Sequence, residues 1–161
     1  MKAKHLTRAK EDFTENYEIP YGTVTVGRNA FFGRQNITSV TVCDSVTFIY
    51  GSAFRNCKNL ALINIGKNVK FIGERAFEET GAEKIILPDG LEFIGGRAFY
   101  RCKNLVSVTV PESVYEIGEK AFAHCADGLT VIYKGTKDEW KSLYKCVDNE
   151  KFSVECSDGR I

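Results

Sequence analysis

Apolar positions recur along the chain in units of 22 or 23 residues. The clearest block reads apolar-x-x-Ile-Gly-x-x-Ala-Phe in its full form, and its phenylalanines are Phe31, Phe54, Phe77, Phe99 and Phe122. A second block, apolar-x-x-apolar-x-apolar, is rich in Val and Ile and alternates as a short strand with one buried face does. A fixed period of this length is the signature of a solenoid, in which each unit packs on its neighbours. The pattern therefore predicts about five stacked coils, with parallel strands, over residues 19–135.

The corners between the blocks depend on glycine in most units. Gly73 and its equivalents Gly95 and Gly118 suit either a positive φ or a close approach of two backbones. Tyr50 stands in the same place one unit earlier, so that corner is expected to differ. The single 22-residue step is explained by a deletion of one residue just before Ala82.

The two ends of the chain depart from the repeat. Residues 1–18 are polar and irregular, and Leu6, Phe13 and Tyr17 would form a weak apolar stripe if this segment were a helix. Two interpretations stay open for residues 1–18: a cap over the first coil, or a partly ordered leader.

The C-terminal residues 136–161 predict a cap made of a helix and a short strand. Thr136 and Glu139 have the spacing of a capping box, and Trp140 begins an apolar face at i, i+3, i+4 and i+7. We expect a helix over 137–146 that covers the last coil, followed by a strand at 152–156. Such a lid is needed because a repeat array otherwise ends in an exposed apolar face.

Bulk charge and hydropathy exclude several classes of partner. The chain has 161 residues with 22 basic and 21 acidic side chains, so nucleic acid and anionic membranes are not expected partners. No apolar run approaches the roughly 20 residues that span a bilayer. The basic N-terminus is followed by no apolar segment of a secretory signal. This favours the cytoplasm for the chain as given, and the cell surface if it is cut from a longer protein.

The six cysteines are placed as core residues more than as a disulfide framework. Cys57, Cys102 and Cys125 each follow a repeat phenylalanine by three residues, which is typical of a small buried side chain. Coils stack at about 4.8 Å, so Cys57 and Cys102 are too far apart to pair. We expect reduced thiols, with Cys102–Cys125 and Cys146–Cys156 as the two pairings left open.

The repeat resembles a known family. Leu-x-x-Ile-x-Ile, then Val-x-x-Ile-Gly-x-x-Ala-Phe, then x-x-Cys is similar to the BspA-type leucine-rich repeat over residues 19–135, and the segment 133–140 resembles the way such proteins close. The resemblance implies a right-handed solenoid with its parallel sheet on the concave side. It also implies a binding module, frequent on bacterial surfaces and adhesive in some members, without catalytic residues.

Catalytic and metal chemistry finds little support in the residues themselves. His124 precedes Cys125, but adjacent side chains point in different directions and no nucleophile turn accompanies them. No Cys-x-x-Cys pair offers zinc ligands, and Gly95-Gly96 is too short to hold a phosphate. No enzyme activity, cofactor, metal or small-molecule substrate is expected.

The candidate functional surface is therefore a protein-binding one. The outward strand positions include Leu62 and Asn64, then Lys84 and Ile86 one coil later. A separate column holds Phe48, Phe71 and Phe93, with Glu116 in the next place; since a charge is seldom fully buried, the column is expected to be partly exposed. Such a ladder marks an interaction site, and the alternative is that its rings pack on one another and reinforce the stack.

Two functions follow from this surface. The first is a non-enzymatic module that binds a protein partner or a second copy of itself. The alternative is a purely structural repeat unit of a larger bacterial surface protein, with no partner site of its own.

Overall fold

Two columns of parallel strands run through the whole chain. The computed structural model describes residues 4–8, 15–144 and 152–161, which form a solenoid of about six turns. One column is a continuous six-stranded sheet made of β1 (Lys4–Leu6), β3 (Thr23–Val26), β5 (Phe48–Ile49), β7 (Phe71–Ile72), β9 (Phe93–Ile94) and β11 (Glu116–Ile117).

The second column, here called the strand face, is divided into two sheets. The first contains β2 (Asn16–Glu18), β4 (Ser39–Thr41) and β6 (Leu62–Asn64). The second contains β8 (Lys84–Ile86), β10 (Ser107–Val110), β12 (Leu129–Tyr133), β13 (Phe152–Cys156) and the antiparallel β14 (Gly159–Arg160).

The array begins earlier than the sequence pattern indicates. β1 pairs in parallel with β3, and β2 with β4, so these two strands add a turn ahead of the predicted first coil and raise the count from five to six. Leu6 and Tyr17 belong to these strands and not to a helix; Phe13 lies outside the described residues. The Tyr17 ring meets the Phe31 ring edge-on at 5.0 Å, so the first turn covers the first phenylalanine of the core.

The core is organised around the repeat phenylalanines. They are essentially inaccessible to solvent and form one stack, with successive ring centroids 4.7, 5.1, 5.4 and 5.6 Å apart. Apolar burial of this kind is the main stabilising term in a fold, and stacked aromatic pairs add about 0.5–1.5 kcal/mol each.

The repeat glycines serve a close approach of two backbones. A Cβ on Gly73 would lie 2.6 Å from the backbone nitrogen of Gly51, and one on Gly118 would lie 2.2 Å from that of Gly96. The positive φ that the corner needs falls two residues later, for example at Arg75 with φ 57°. Glycine is thus required for space at Gly73, Gly95 and Gly118, and of the two predicted reasons only the close approach holds there.

The corner at Tyr50 keeps the hydrogen bonds of the glycine corners. The Tyr50 N–H donates to the Val26 carbonyl at 2.9 Å, just as the Gly73 N–H donates to Ile49 at 2.8 Å. The expected difference is therefore absent from the hydrogen bonding and lies in the side chain, because the Tyr50 ring is exposed.

The strand face is divided at the coil that carries the one-residue deletion. Asn59 and Asn104 donate from their side chains to the preceding coil, at Gln35 and Gly81, and the coil between them lacks this asparagine. Its Gly81 lies directly on the Lys58 carbonyl, where a Cβ would be only 2.4 Å from the oxygen. Among the described residues no backbone hydrogen bond joins β6 to β8, whereas β7 and β9 stay paired.

The C-terminal helix is α1 (Lys137–Leu143). The predicted capping box is present: the Thr136 hydroxyl accepts from the Glu139 N–H, and the Glu139 carboxylate accepts from the Thr136 N–H at 2.7 Å. The predicted end at residue 146 is wrong, because Tyr144 is already extended with φ −109° and ψ 104°. In that conformation its ring reaches the Phe122 ring, with centroids 6.1 Å apart. Val147 and Cys146 lie outside the described residues.

Candidate functional site

The four predicted strand-face residues lie side by side and point outward. Leu62 and Asn64 are on β6, Lys84 and Ile86 are on β8, and all four are exposed. Leu62 is 67 % and Ile86 71 % exposed. An exposed aliphatic pair on neighbouring strands is unusual because each side chain gains free energy on leaving water.

A groove runs along the division between β6 and β8. It has a volume of about 540 Å³ and is lined by the four residues together with Lys67, Pro88, Asp89 and Lys134, among others. Two of its lysines are engaged, since Lys67 pairs with Asp44 at 3.3 Å and Lys134 pairs with Asp89. Lys84 forms no ion pair with any residue that the structure describes. The groove therefore combines an apolar rim with one uncompensated positive charge.

The phenylalanine ladder lies on the six-stranded sheet and not on the strand face. Phe48, Phe71 and Phe93 occupy one register position, and Glu116 continues it. Phe71 and Phe93 are half-buried and stack at 4.5 Å with an interplanar angle of 3°. Phe48 is 40 % exposed and tilts against Phe71 at 6.1 Å. The rings thus contact one another while part of the column faces solvent.

Sequence reasoning did not place Tyr50 in this ladder. Its ring stacks beside Phe48 at 6.1 Å, which widens the exposed aromatic surface at one end. The sequence does contain a signal for this position, because Tyr50 stands where Gly73 and its equivalents have no side chain.

His124 and Cys125 do not form a nucleophile and base. The Cys125 thiol donates to the Phe99 carbonyl at 3.2 Å, and the His124 ring meets the Tyr100 ring edge-on at 5.2 Å. In the described part of the chain no three His, Cys, Asp or Glu side chains converge as a metal site.

The buried thiols form a repeated hydrogen bond. Cys57 donates to the Phe31 carbonyl at 3.0 Å and Cys102 to the Phe77 carbonyl at 3.1 Å. Burial raises the pKa of the Cys57 thiol to about 12 and that of Cys102 to about 11. Among the described residues, Cys43, Cys57, Cys102, Cys125 and Cys156 form no disulfide with one another, so the Cys102–Cys125 pairing is absent. The Cys146–Cys156 pairing falls outside the described residues.

We expect the free energy of unfolding to fall as the pH rises above the ordinary thiol pKa of 9.0. Above that pH the unfolded chain releases protons that the folded chain retains at Cys57 and Cys102, whereas below it the stabilisation is fully present. Urea unfolding between about pH 8 and about pH 10 measures this slope. Substituting both residues by Ala should make the decline of the free energy of unfolding with pH shallower, and an unchanged slope would contradict the assignment.

A second measurement counts the free thiols. In denaturant without reductant, a thiol reagent should react with all six cysteines. A count of four reactive thiols would instead reveal one disulfide.

Hydropathy gives no membrane segment in the part of the chain that the structure describes. None of its helices has the length and apolar character needed to cross a bilayer.

Known proteins share both the repeat and the fold. The family model for the BspA type leucine rich repeat region matches residues 10–130 with six copies. A leucine rich cell surface protein from Faecalibacterium prausnitzii is 27% identical with a TM-score of 0.82, over 90% of this chain and 39% of its own. The leucine-rich repeat protein of T. pallidum is 32% identical with a TM-score of 0.68, over 74% of this chain and 58% of its own.

A more distant likeness concerns the fold alone. The pneumococcal vaccine antigen PcpA is 22% identical with a TM-score of 0.67, over 97% of this chain and 44% of its own. The chain thus spans less than two thirds of the length of each of these three solved proteins. No curated protein gives a significant match. With six copies of the repeat matched across residues 10–130, the chain belongs to the BspA-type leucine-rich repeat family.

Proposed function

We propose that the chain is a non-enzymatic protein-binding module whose partner contacts the strand face around Leu62, Asn64, Lys84 and Ile86. The observation that carries this proposal is the exposure of Leu62 and Ile86, two-thirds or more, on neighbouring strands at the rim of one groove. The partner surface would be apolar, with a carboxylate placed to meet Lys84.

The energetics of the groove support a moderate contribution to binding. Fully burying a Leu or Ile side chain is worth about 1.5–3 kcal/mol, so covering the exposed parts of both would supply about 2–4 kcal/mol. The coils are held by continuous backbone hydrogen bonds on the six-stranded sheet, so little ordering of the scaffold is required on binding.

The phenylalanine ladder is proposed as a second contact surface. Phe48 and Tyr50 supply exposed aromatic area at one end, and aromatic side chains are enriched in the cores of interfaces. Stacking between Phe71 and Phe93 holds the ladder rigid. A solenoid of this kind would serve adhesion or self-association, and the Faecalibacterium prausnitzii relative supports placing it at a cell surface.

The strand face is tested by the double substitution Leu62→Ser and Ile86→Ser. The wild-type chain, the double variant and a control variant are each immobilised and exposed to an extract of the source organism. The proteins that each chain captures are compared by quantitative mass spectrometry, and the self-association of each chain is measured by analytical ultracentrifugation. We expect the double variant to lose at least one protein, or the dimer, that Tyr115→Ser retains. Tyr115 is a matched control because it is 67 % exposed and lies away from the groove. Equal binding by both variants would contradict the proposal.

The ladder is tested separately by replacing Phe48, Phe71 and Phe93 with serine. If the ladder is an interaction surface, the triple variant should fold with a nearly unchanged melting temperature. It should also lose its partner or its self-association. A steep fall in stability with assembly unaltered would instead leave the ladder as part of the core.

The second candidate function is a purely structural unit of a longer repeat protein. It is favoured by the fact that the chain covers only 39% of the Faecalibacterium prausnitzii protein. Under this function neither set of substitutions changes any binding.

A further inference from the structure

The balanced charge of the chain conceals a separation of charge around the coil. Each coil has a nine-residue turn segment after its strand in the six-stranded sheet, at 27–35, 50–58, 73–81, 95–103 and 118–126; together we call these segments the turn face. They contain nine Lys and Arg residues and four Glu, whereas the whole chain has a net charge of only +1. The turn face is therefore the positively charged side of the molecule.

The four glutamates of the turn face are all engaged by basic neighbours on the same face. Glu78 pairs with Arg55 and Arg75, and the others are paired as Glu74–Arg75, Glu79–Arg101 and Glu119–Lys120. Within the described residues, four further cations of this face have no carboxylate partner: Arg28, Lys58, Arg97 and Lys103.

Two of these four cations flank a pocket at the shortened coil. The pocket has a volume of about 300 Å³, and Lys58, Glu79, Gly81, Arg101, Lys103 and Asn104 are among its lining residues; we call it the basic notch. Lys58 and Lys103 belong to the coils on either side of the shortened one and stand at the repeat position that Gly81 occupies there. Both lysines are exposed, so their ammonium groups are free to turn inward.

The charge of the basic notch fits a dianion. Three cations line it and a single carboxylate opposes them, since Glu79 pairs with Arg101 at 3.6 Å. The remaining charge is that of two lysines.

We propose that the basic notch binds a tetrahedral oxyanion, phosphate or sulfate, carried either as the free ion or as an ester group on a polymer. Lys58 and Lys103 would hold the anion from two sides, and Arg101 would complete the contact from the notch wall. This site is independent of the strand face and goes beyond the proposed protein-binding function.

The test is a titration of the ¹⁵N-labelled full chain with sodium phosphate and sodium sulfate at constant ionic strength. We expect saturable shifts of the amides of Lys58, Gly81 and Asn104. The double variant Lys58→Gln, Lys103→Gln should bind at least about tenfold more weakly, because charge-assisted hydrogen bonds are lost. The matched variant Lys70→Gln, Lys141→Gln has the same net charge and alters two exposed lysines that line neither the basic notch nor the groove; it should stay within about twofold of wild type.

A polymer arm separates the two sources of the anion. Dextran sulfate and unsulfated dextran are titrated calorimetrically against the same three proteins. Tight binding of dextran sulfate that depends on Lys58 and Lys103, with weak binding of the ions, assigns the site to a polymer ester. Binding of the free ions alone assigns it to a small anion. Equal losses in both double variants, or no saturable binding of any probe, would overturn the proposal.

Discussion

Replacing Trp140 by alanine is expected to destabilise the chain by about 3–5 kcal/mol. Trp140 is 5 % exposed, and its ring lies 5.4 Å from that of Tyr133 and 5.3 Å from that of Tyr144. Tyr144 in turn contacts Phe122, the last ring of the core stack. The indole is thus central to the aromatic contacts between α1 and the last coil, and its removal leaves a cavity at that junction.

Thermal unfolding measures this effect directly. A chain of this size loses about 2–4 °C for each kcal/mol, so the melting temperature should fall by roughly 6–20 °C. Lys141→Ala is the matched control on the same helix, since that side chain is 64 % exposed and contributes at most a weak surface pair. A Trp140→Ala variant that melts within a degree or two of wild type would show that α1 is not a lid.

Phe77→Ala should have a comparable cost, also about 3–5 kcal/mol. Phe77 lies in the middle of the core stack and has a ring on each side, at 5.1 Å and 5.4 Å. It is fully buried, and its coil is joined to both neighbours near the ring by the Phe54 N–H to Ala76 and Phe77 N–H to Ala98 backbone hydrogen bonds. The truncation therefore leaves a cavity and removes two aromatic contacts at once.

The control for this substitution is Phe32→Ala. Phe32 follows a stack residue in the sequence but is 49 % exposed, so its loss should change the stability by only a few tenths of a kcal/mol. Chemical denaturation of both variants compares them on one scale. If Phe77→Ala were no worse than Phe32→Ala, the stack would not be the main source of stability.

The repeat was predictable because its period is imposed by stacking. Ala-Phe must return at the same angular position in every coil, so the spacing of Phe31 to Phe122 is visible in the sequence alone. The first turn was missed because β1 and β2 are formed by backbone pairing with β3 and β4, and backbone pairing demands no particular side chain. The end of α1 was misplaced because a tertiary contact, the Tyr144 ring on Phe122, outweighs helical periodicity.

The candidate surfaces were predictable in position but not in character. Alternation along β6 and β8 places Leu62 and Ile86 outward, as the structure confirms. The division between these strands lies at the coil that lacks the asparagine, and a deletion in a sequence does not reveal whether the sheet closes over it. The basic notch was hidden for a similar reason: charges that cancel along the sequence are separated only when the coil places Lys58, Arg101 and Lys103 on one side.

The interrupted pairing between β6 and β8 also bears on cooperativity. In a linear array, stability is the sum of each unit's own term and its coupling to the next unit. The coupling between these two coils lacks the strand-face hydrogen bonds that β4 and β6 share, although the six-stranded sheet continues across it. We therefore expect the coupling free energy between neighbouring coils to be lowest at this junction. Partial unfolding should begin there and divide the array into an N-terminal and a C-terminal folding unit of similar size.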